Sequence, residues 1–124
     1  MPDGVFVQHD GRIATVVLNR PDKLNAMNGA CWILLDGIMS ELNDDDDIHC
    51  IIIRGVDSTA FSAGSDISDW SEHRTTPEDV RKYSSDLENS LNSVFSCRHP
   101  SIAAINGVCT VSYTHLTLPT ILLV

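Results

Sequence analysis

The stretch Ala63-Gly64-Ser65-Asp66 puts a glycine, a hydroxyl and a carboxylate within four positions of a 124-residue chain. Glycine lets a backbone approach a ligand closely, and a turn set before a helix points free N–H groups outward as a nest for negative charge. Taken alone, the tetrapeptide reads first as an ordinary surface turn. A nucleophilic Ser65 has less support, because its surroundings are not Gly-x-Ser-x-Gly and no histidine or acid can be assigned as its partner. Asp69 and Glu72 lie nearby in sequence, but nothing gives them an acid–base task. The five histidines, His9, His49, His73, His99 and His115, lack ligand spacing. Cys31, Cys50, Cys97 and Cys109 are separated by 19, 47 and 12 positions, which matches no Cys-x-x-Cys pattern. No metal site is expected, and the thiols are expected to be reduced and in the core. The acidic run at 44–47 reads as a connection, since hard cations need oxygens converging from a shaped loop.

Eight Lys plus Arg against 17 Asp plus Glu give a net charge of −9. Such a surface repels a phosphate backbone, and no basic cluster offsets it, so no nucleic-acid partner is expected. With 43% hydrophobic and 20% charged residues, the chain has enough apolar side chain for one core. It shows neither a basic, apolar leader nor a run of apolar residues long enough to span a membrane. The expectation is a soluble, cytoplasmic protein with no membrane partner.

The elements that must position these groups follow from periodicity and punctuation. Apolar-rich runs at 5–9 and 12–19 flank Asp10-Gly11, which predicts a hairpin with a type I′ turn. Residues 20–26, with a proline and several polar groups, predict a structured loop in which Asn25 bonds backbone groups. Asn28 caps a predicted helix over 29–43 with Cys31, Leu34, Leu35, Ile38, Met39 and Leu42 inward. The run 48–55 predicts a strand covered on both faces and parallel to a hairpin strand. A loop follows over 56–70. Thr76-Pro77-Glu78-Asp79 starts a helix of about five turns with Val80, Tyr83, Leu87, Leu91 and Val94 on one face. A further buried strand is predicted at 101–106, ended by Gly107. Trp32 and Trp70 are expected to serve packing.

Four motifs in this order carry a resemblance: Arg20-Pro21-Asp22-Lys23-Leu24-Asn25-Ala26-Met27, Ile51-Ile52-Ile53-Arg54-Gly55, Ala60-Phe61-Ser62-Ala63-Gly64-Ser65-Asp66-Ile67 and Ile102-Ala103-Ala104-Ile105-Asn106-Gly107. Together they are similar to the amino-terminal half of the crotonase (enoyl-CoA hydratase/isomerase) family. The resemblance implies an α/β fold, a crotonase-like ββα repeat scaffold, here truncated to a partial domain over 1–109. It implies a coenzyme A thioester whose oxygen is held by two backbone N–H groups while an enolate develops. The first donor falls on the Ser65 amide, after Gly64, and such a donor is worth about 2.7 to 4 kcal/mol when preorganised. Lys23, Leu24, Ala26, Ala63, Asp66 and Ile67 occupy positions where the family contacts coenzyme A. Read as residues alone, Leu24 and Ile67 are equally core candidates and Lys23 a solvated charge. The resemblance implies no permanently bound cofactor, coenzyme A entering as part of the substrate, and a homo-oligomer, a trimer or a dimer of trimers.

After Cys109 the sequence departs from the family. A glycine-rich turn and a helix would supply the second oxyanion donor, whereas residues 110–124 contain no glycine and alternate Thr with aliphatic residues. That alternation suits a strand running to Pro119, and the segment is also similar to translated adapter or read-through sequence. The family's catalytic glutamates have no counterpart. The chain as written is therefore expected to bind coenzyme A weakly rather than turn substrate over, and to expose apolar surface at its carboxyl end.

Overall fold

A computed structural model describes residues 4–66 and 76–109 and the backbone of Thr120–Leu123. Strands β1 (Gly4–Asp10) and β2 (Ile13–Asn19) pair antiparallel with Asp10 opposite Ile13. The two-residue turn is thus Gly11-Arg12, one position later than expected. Gly11 has φ 60°, while Arg12 is not among the residues with positive φ. That sign pattern belongs to type II′, with glycine first, and corrects the type I′ expectation.

Helix α1 (Gly29–Asn43) starts as expected: the Asn28 side chain accepts from the Cys31 amide at 2.9 Å. Its inward face is Cys31, Trp32, Leu35, Met39 and Leu42, with Leu34 exposed and Ile38 half-buried. Trp32 takes the place that periodicity gave to Leu34, because burying its larger ring removes more apolar surface from water. Strand β3 (Cys50–Gly55) runs parallel to β2, Val16 opposite Ile53. Its burial alternates, with Ile51, Ile53 and Gly55 buried and Cys50, Ile52 and Arg54 half-buried, so only one face is fully covered. The expected loop after it contains a three-residue strand, β4 (Ala60–Ser62), buried throughout.

Helix α2 (Pro77–Ser96) is capped by Thr76, whose hydroxyl accepts from the Asp79 amide at 3.1 Å. Tyr83, Ser90 and Val94 are buried, Leu87 and Leu91 pack against the core, and Val80 is exposed, contrary to the periodic reading. Side-chain bonds join the helices: Trp32 Nε1 donates to the Tyr83 hydroxyl at 3.2 Å, the Ser90 hydroxyl donates to the Trp32 carbonyl, and the Ser93 hydroxyl donates to the Asp36 carboxylate. Strand β5 (Ser101–Ile105) lies parallel to β3. Beyond it, β6 (Val108–Cys109) pairs with β4, and β7 (Thr120–Leu123) pairs with β5. The tail strand therefore lies after Pro119, and the predicted run before it falls outside the described residues.

The order β1-β2-β3-β5-β7 makes one sheet, with β4-β6 as a second two-stranded parallel sheet. The core between sheet and helices holds Val16, Leu18, Met27, Trp32, Leu35, Met39, Ile51, Phe61 and Val94. Burying each aliphatic or aromatic side chain fully contributes about 1.5 to 3 kcal/mol before entropic costs. All four cysteines are free thiols, and only Cys31 is fully buried.

Candidate functional site

The loop between β2 and α1 is built by backbone constraint. Pro21–Lys23 forms a short 3-10 turn, and then Leu24 (φ 52°) and Asn25 (φ 58°) both enter the left-handed region. Asparagine tolerates that region, whereas a bulky residue such as leucine adopts it only when its surroundings enforce it. Asn25 supplies the enforcement. Its side chain, 2% exposed, accepts from the Arg20 amide at 2.8 Å and donates to the Ala60 and Phe61 carbonyls at 3.0 and 3.2 Å. This is the backbone-anchoring role expected for it. Leu24 turns outward, 40% exposed, beside an exposed Lys23.

Residues 60–66 are laced to that loop. The Ala63 amide donates to Leu24 O at 2.9 Å, Met27 N to Gly64 O at 2.7 Å, and Asp66 N to Met27 O at 2.9 Å. The buried Ser62 hydroxyl donates to Asn25 O at 2.8 Å and accepts from Gly64 N at 3.0 Å. Gly55 is required where β3 passes the site, because a Cβ there would lie 2.1 Å from Ala60 O.

Met27 and Ser65 form a parallel bridge. Gly64 O and Asp66 N both face Met27, so the Ser65 N–H, one residue between, faces the opposite way. Neither the Ser65 amide nor its hydroxyl has a hydrogen-bond partner among the described residues, and Ser65 is only half-buried. Gly64 holds the preceding bend at φ 87°, a conformation that an L side chain disfavours.

The Asp66 carboxylate pairs with Arg20, whose Nη1 lies 3.1 Å from Oδ2, and both side chains are nearly buried, at 11% and 14% exposure. The same Nη1 donates to Ala26 O at 2.6 Å. Arg20 and Ser62 are the residues that sequence reasoning missed. A lone arginine and a serine carry no periodic signal, so neither could be picked out from spacing.

The fold thus brings together Leu24, Ala26, Ala63, Gly64, Ser65 and Asp66, with Lys23 on the adjoining turn. Ile67, Asp69, Trp70 and Glu72 lie outside the described residues. A cleft of about 370 Å³ between the first turn of α1 and the first half of α2, lined by Asn28, Ile33, Lys82, Tyr83 and Asp86, is bordered by none of the expected site residues. Next to the site, burial pushes the Cys109 thiol above its ordinary range. A raised folded-state value favours the protonated thiol, so this stabilisation is full below the unfolded value and fades as pH rises through the folded one. No described helix is long and apolar enough to cross a membrane.

The enoyl-CoA hydratase/isomerase family model matches residues 13–110. The short-chain-enoyl-CoA hydratase of Clostridium acetobutylicum is 30% identical over 105 residues, 85% of this chain and 40% of the relative. A probable enoyl-CoA hydratase of Mycobacterium bovis is 35% identical over 103 residues, covering 83% and 38%. Among solved structures, an enoyl-CoA hydratase/carnithine racemase from Magnetospirillum magneticum superposes with a TM-score of 0.81 at 36% identity, covering 86% of this chain and 40% of that one. The chain spans about 40% of the length of the curated relatives it matches. With the fold, the laced loops and these likenesses in agreement, the chain belongs to the enoyl-CoA hydratase/isomerase family.

Proposed function

We propose that residues 20–27 and 60–66 form the acyl-CoA-binding half of a crotonase-type site, in which the Ser65 amide donates to a thioester oxygen as it gains enolate charge. The observation that supports this is the half-buried Ser65 N–H, which faces away from Met27 and has no acceptor among the described residues. A donor fixed in place before the charge develops needs no reorganisation during reaction, and that is the origin of its catalytic worth. The outward, strained Leu24 and the exposed Lys23 suit contact with the apolar and phosphate parts of coenzyme A. Coenzyme A enters with the substrate and nothing is held permanently. Hydration of a 2-enoyl-CoA is the modal reaction, with double-bond isomerisation and thioester hydrolysis as its close relatives, in the family's oligomeric assembly.

A second reading, a binding segment without turnover, is favoured by one finding: the family match ends at residue 110. On this reading the described residues contribute the single donor at Ser65, and the second donor and the acid–base groups that the resemblance implies have no counterpart among them.

Ser65→Pro removes the N–H and keeps the chain extended, whereas Ser65→Ala keeps the N–H. The chain is expected to prefer a thioester of coenzyme A over its thioether analogue by about fivefold, one hydrogen bond's net value. Ser65→Ala keeps that preference and Ser65→Pro abolishes it, as read by titration calorimetry. An undiminished preference in Ser65→Pro refutes the donor role. Crotonyl-CoA hydration above background separates the first reading from the second.

A further inference from the structure

The chain contains two Asn-Gly pairs, Asn28-Gly29 and Asn106-Gly107, and the fold treats them differently. Asn28 is a helix cap whose carboxamide oxygen is engaged by the Cys31 amide at 2.9 Å. Asn106 sits just past the end of β5, half-exposed, and its side chain has no hydrogen-bond partner among the described residues. Gly107 is exposed with φ 82°, and its amide likewise has no acceptor among them. Asn106 also lines an open cleft of about 150 Å³ with Arg54, Gly55, Asp57 and Ala104, roomy enough for water to enter and for a carboxamide to turn.

We infer that Asn106-Gly107 is a site of spontaneous deamidation and that Asn28-Gly29 is protected by its cap. The Gly107 nitrogen gives its proton to solvent base and attacks Cγ of Asn106. A nitrogen–carbon bond forms to close a five-membered imide, the Cγ–Nδ2 bond breaks, and the side-chain nitrogen leaves as ammonia with protons from solvent. Water then adds to one imide carbonyl and breaks one of its two carbon–nitrogen bonds, giving aspartate or isoaspartate with no change of oxidation state. Glycine on the carboxyl side offers no side chain to hinder the attack.

The location gives the modification a structural effect. A Cβ on Gly107 would lie 2.2 Å from Thr59 O, and the next amide, Val108, donates to that same carbonyl at 3.2 Å. Isoaspartate routes the main chain through an extra carbon immediately before this tight passage, which displaces β6 from β4 beside the candidate site.

The test incubates the whole chain in mildly alkaline buffer made with heavy-oxygen water and follows label uptake by tryptic peptide mapping. Fragment 99–124 holds Asn106 as its sole asparagine, and fragment 24–54 holds Asn25, Asn28 and Asn43, which tandem fragmentation separates. Asn106 is expected to convert at least about fivefold faster than Asn28, the factor by which a cap hydrogen bond depletes the released rotamer. The two rates are expected to converge in denaturing urea, where only the shared Asn-Gly sequence remains. Equal rates in the folded chain, no conversion at Asn106, or a difference that persists in urea overturns the inference.

Discussion

Two glycine bends, at Gly64 and Gly107, turn the chain with nearly the same dihedral, φ 87° and 82°. They are secured in different ways. The Gly64 bend is braced by Ser62, by two backbone bonds to Met27, by Asn25 through the carbonyls of Ala60 and Phe61, and by Arg20 through Asp66. At the Gly107 bend, the chain is held by the two-residue pairing of β6 with β4, which includes the Val108 bond to Thr59 O. A peptide group can serve as a preorganised donor only where its neighbours are committed to other partners, because otherwise the donor swings with its loop. The first bend meets that condition, and at the second neither the Asn106 side chain nor the Gly107 amide has a hydrogen-bond partner among the described residues.

The largest expected effect comes from the first bend. Asn25→Ala leaves the Arg20 amide and the Ala60 and Phe61 carbonyls without their partners in a buried setting. It also places alanine in a left-handed conformation, and it should destabilise by about 3 to 5 kcal/mol in urea unfolding. Arg20→Met comes next, at about 3 kcal/mol, because it keeps the apolar stem but leaves the nearly buried Asp66 carboxylate without its cation. At the second bend, replacing the Val108 amide with a backbone ester removes the N–H that reaches Thr59 O without adding an atom, and should cost only about 1 kcal/mol. The contrast between the bends fails if that ester costs as much as Arg20→Met.

Helices and caps were legible because their signals are short-range. Asn28 and Thr76 cap the helices that follow them, and Pro77 occupies the first turn of α2, where its missing N–H is harmless. The parallel pairing of β2 with β3 was also readable, because a helix between two apolar runs leaves few alternatives. The hairpin turn was misread by one position, since Asp-Gly fits either of two registers until cross-strand packing selects Asp10 opposite Ile13. Strand β4 was missed because three residues show no period, and among the described residues its strand partners are Val108 and Cys109, more than 40 positions away. At the candidate site, the order of motifs brought the right segments forward, while the ion pair joining Arg20 to a residue 46 positions away left no local trace.

Sequence by itself determined the elements whose bonds close within a few residues: two capped helices, the hairpin, the apolar strands and the glycines at which the chain must bend. Tertiary structure decided which faces those elements bury, turning Leu34 and Val80 outward while Trp32 packs inward as expected, and how the Ser65 amide is aimed. The reason is one of range. Helical and turn hydrogen bonds reward neighbours in the chain, whereas burial and the bracing of a loop reward neighbours in space, which are chosen only when the whole sheet has assembled.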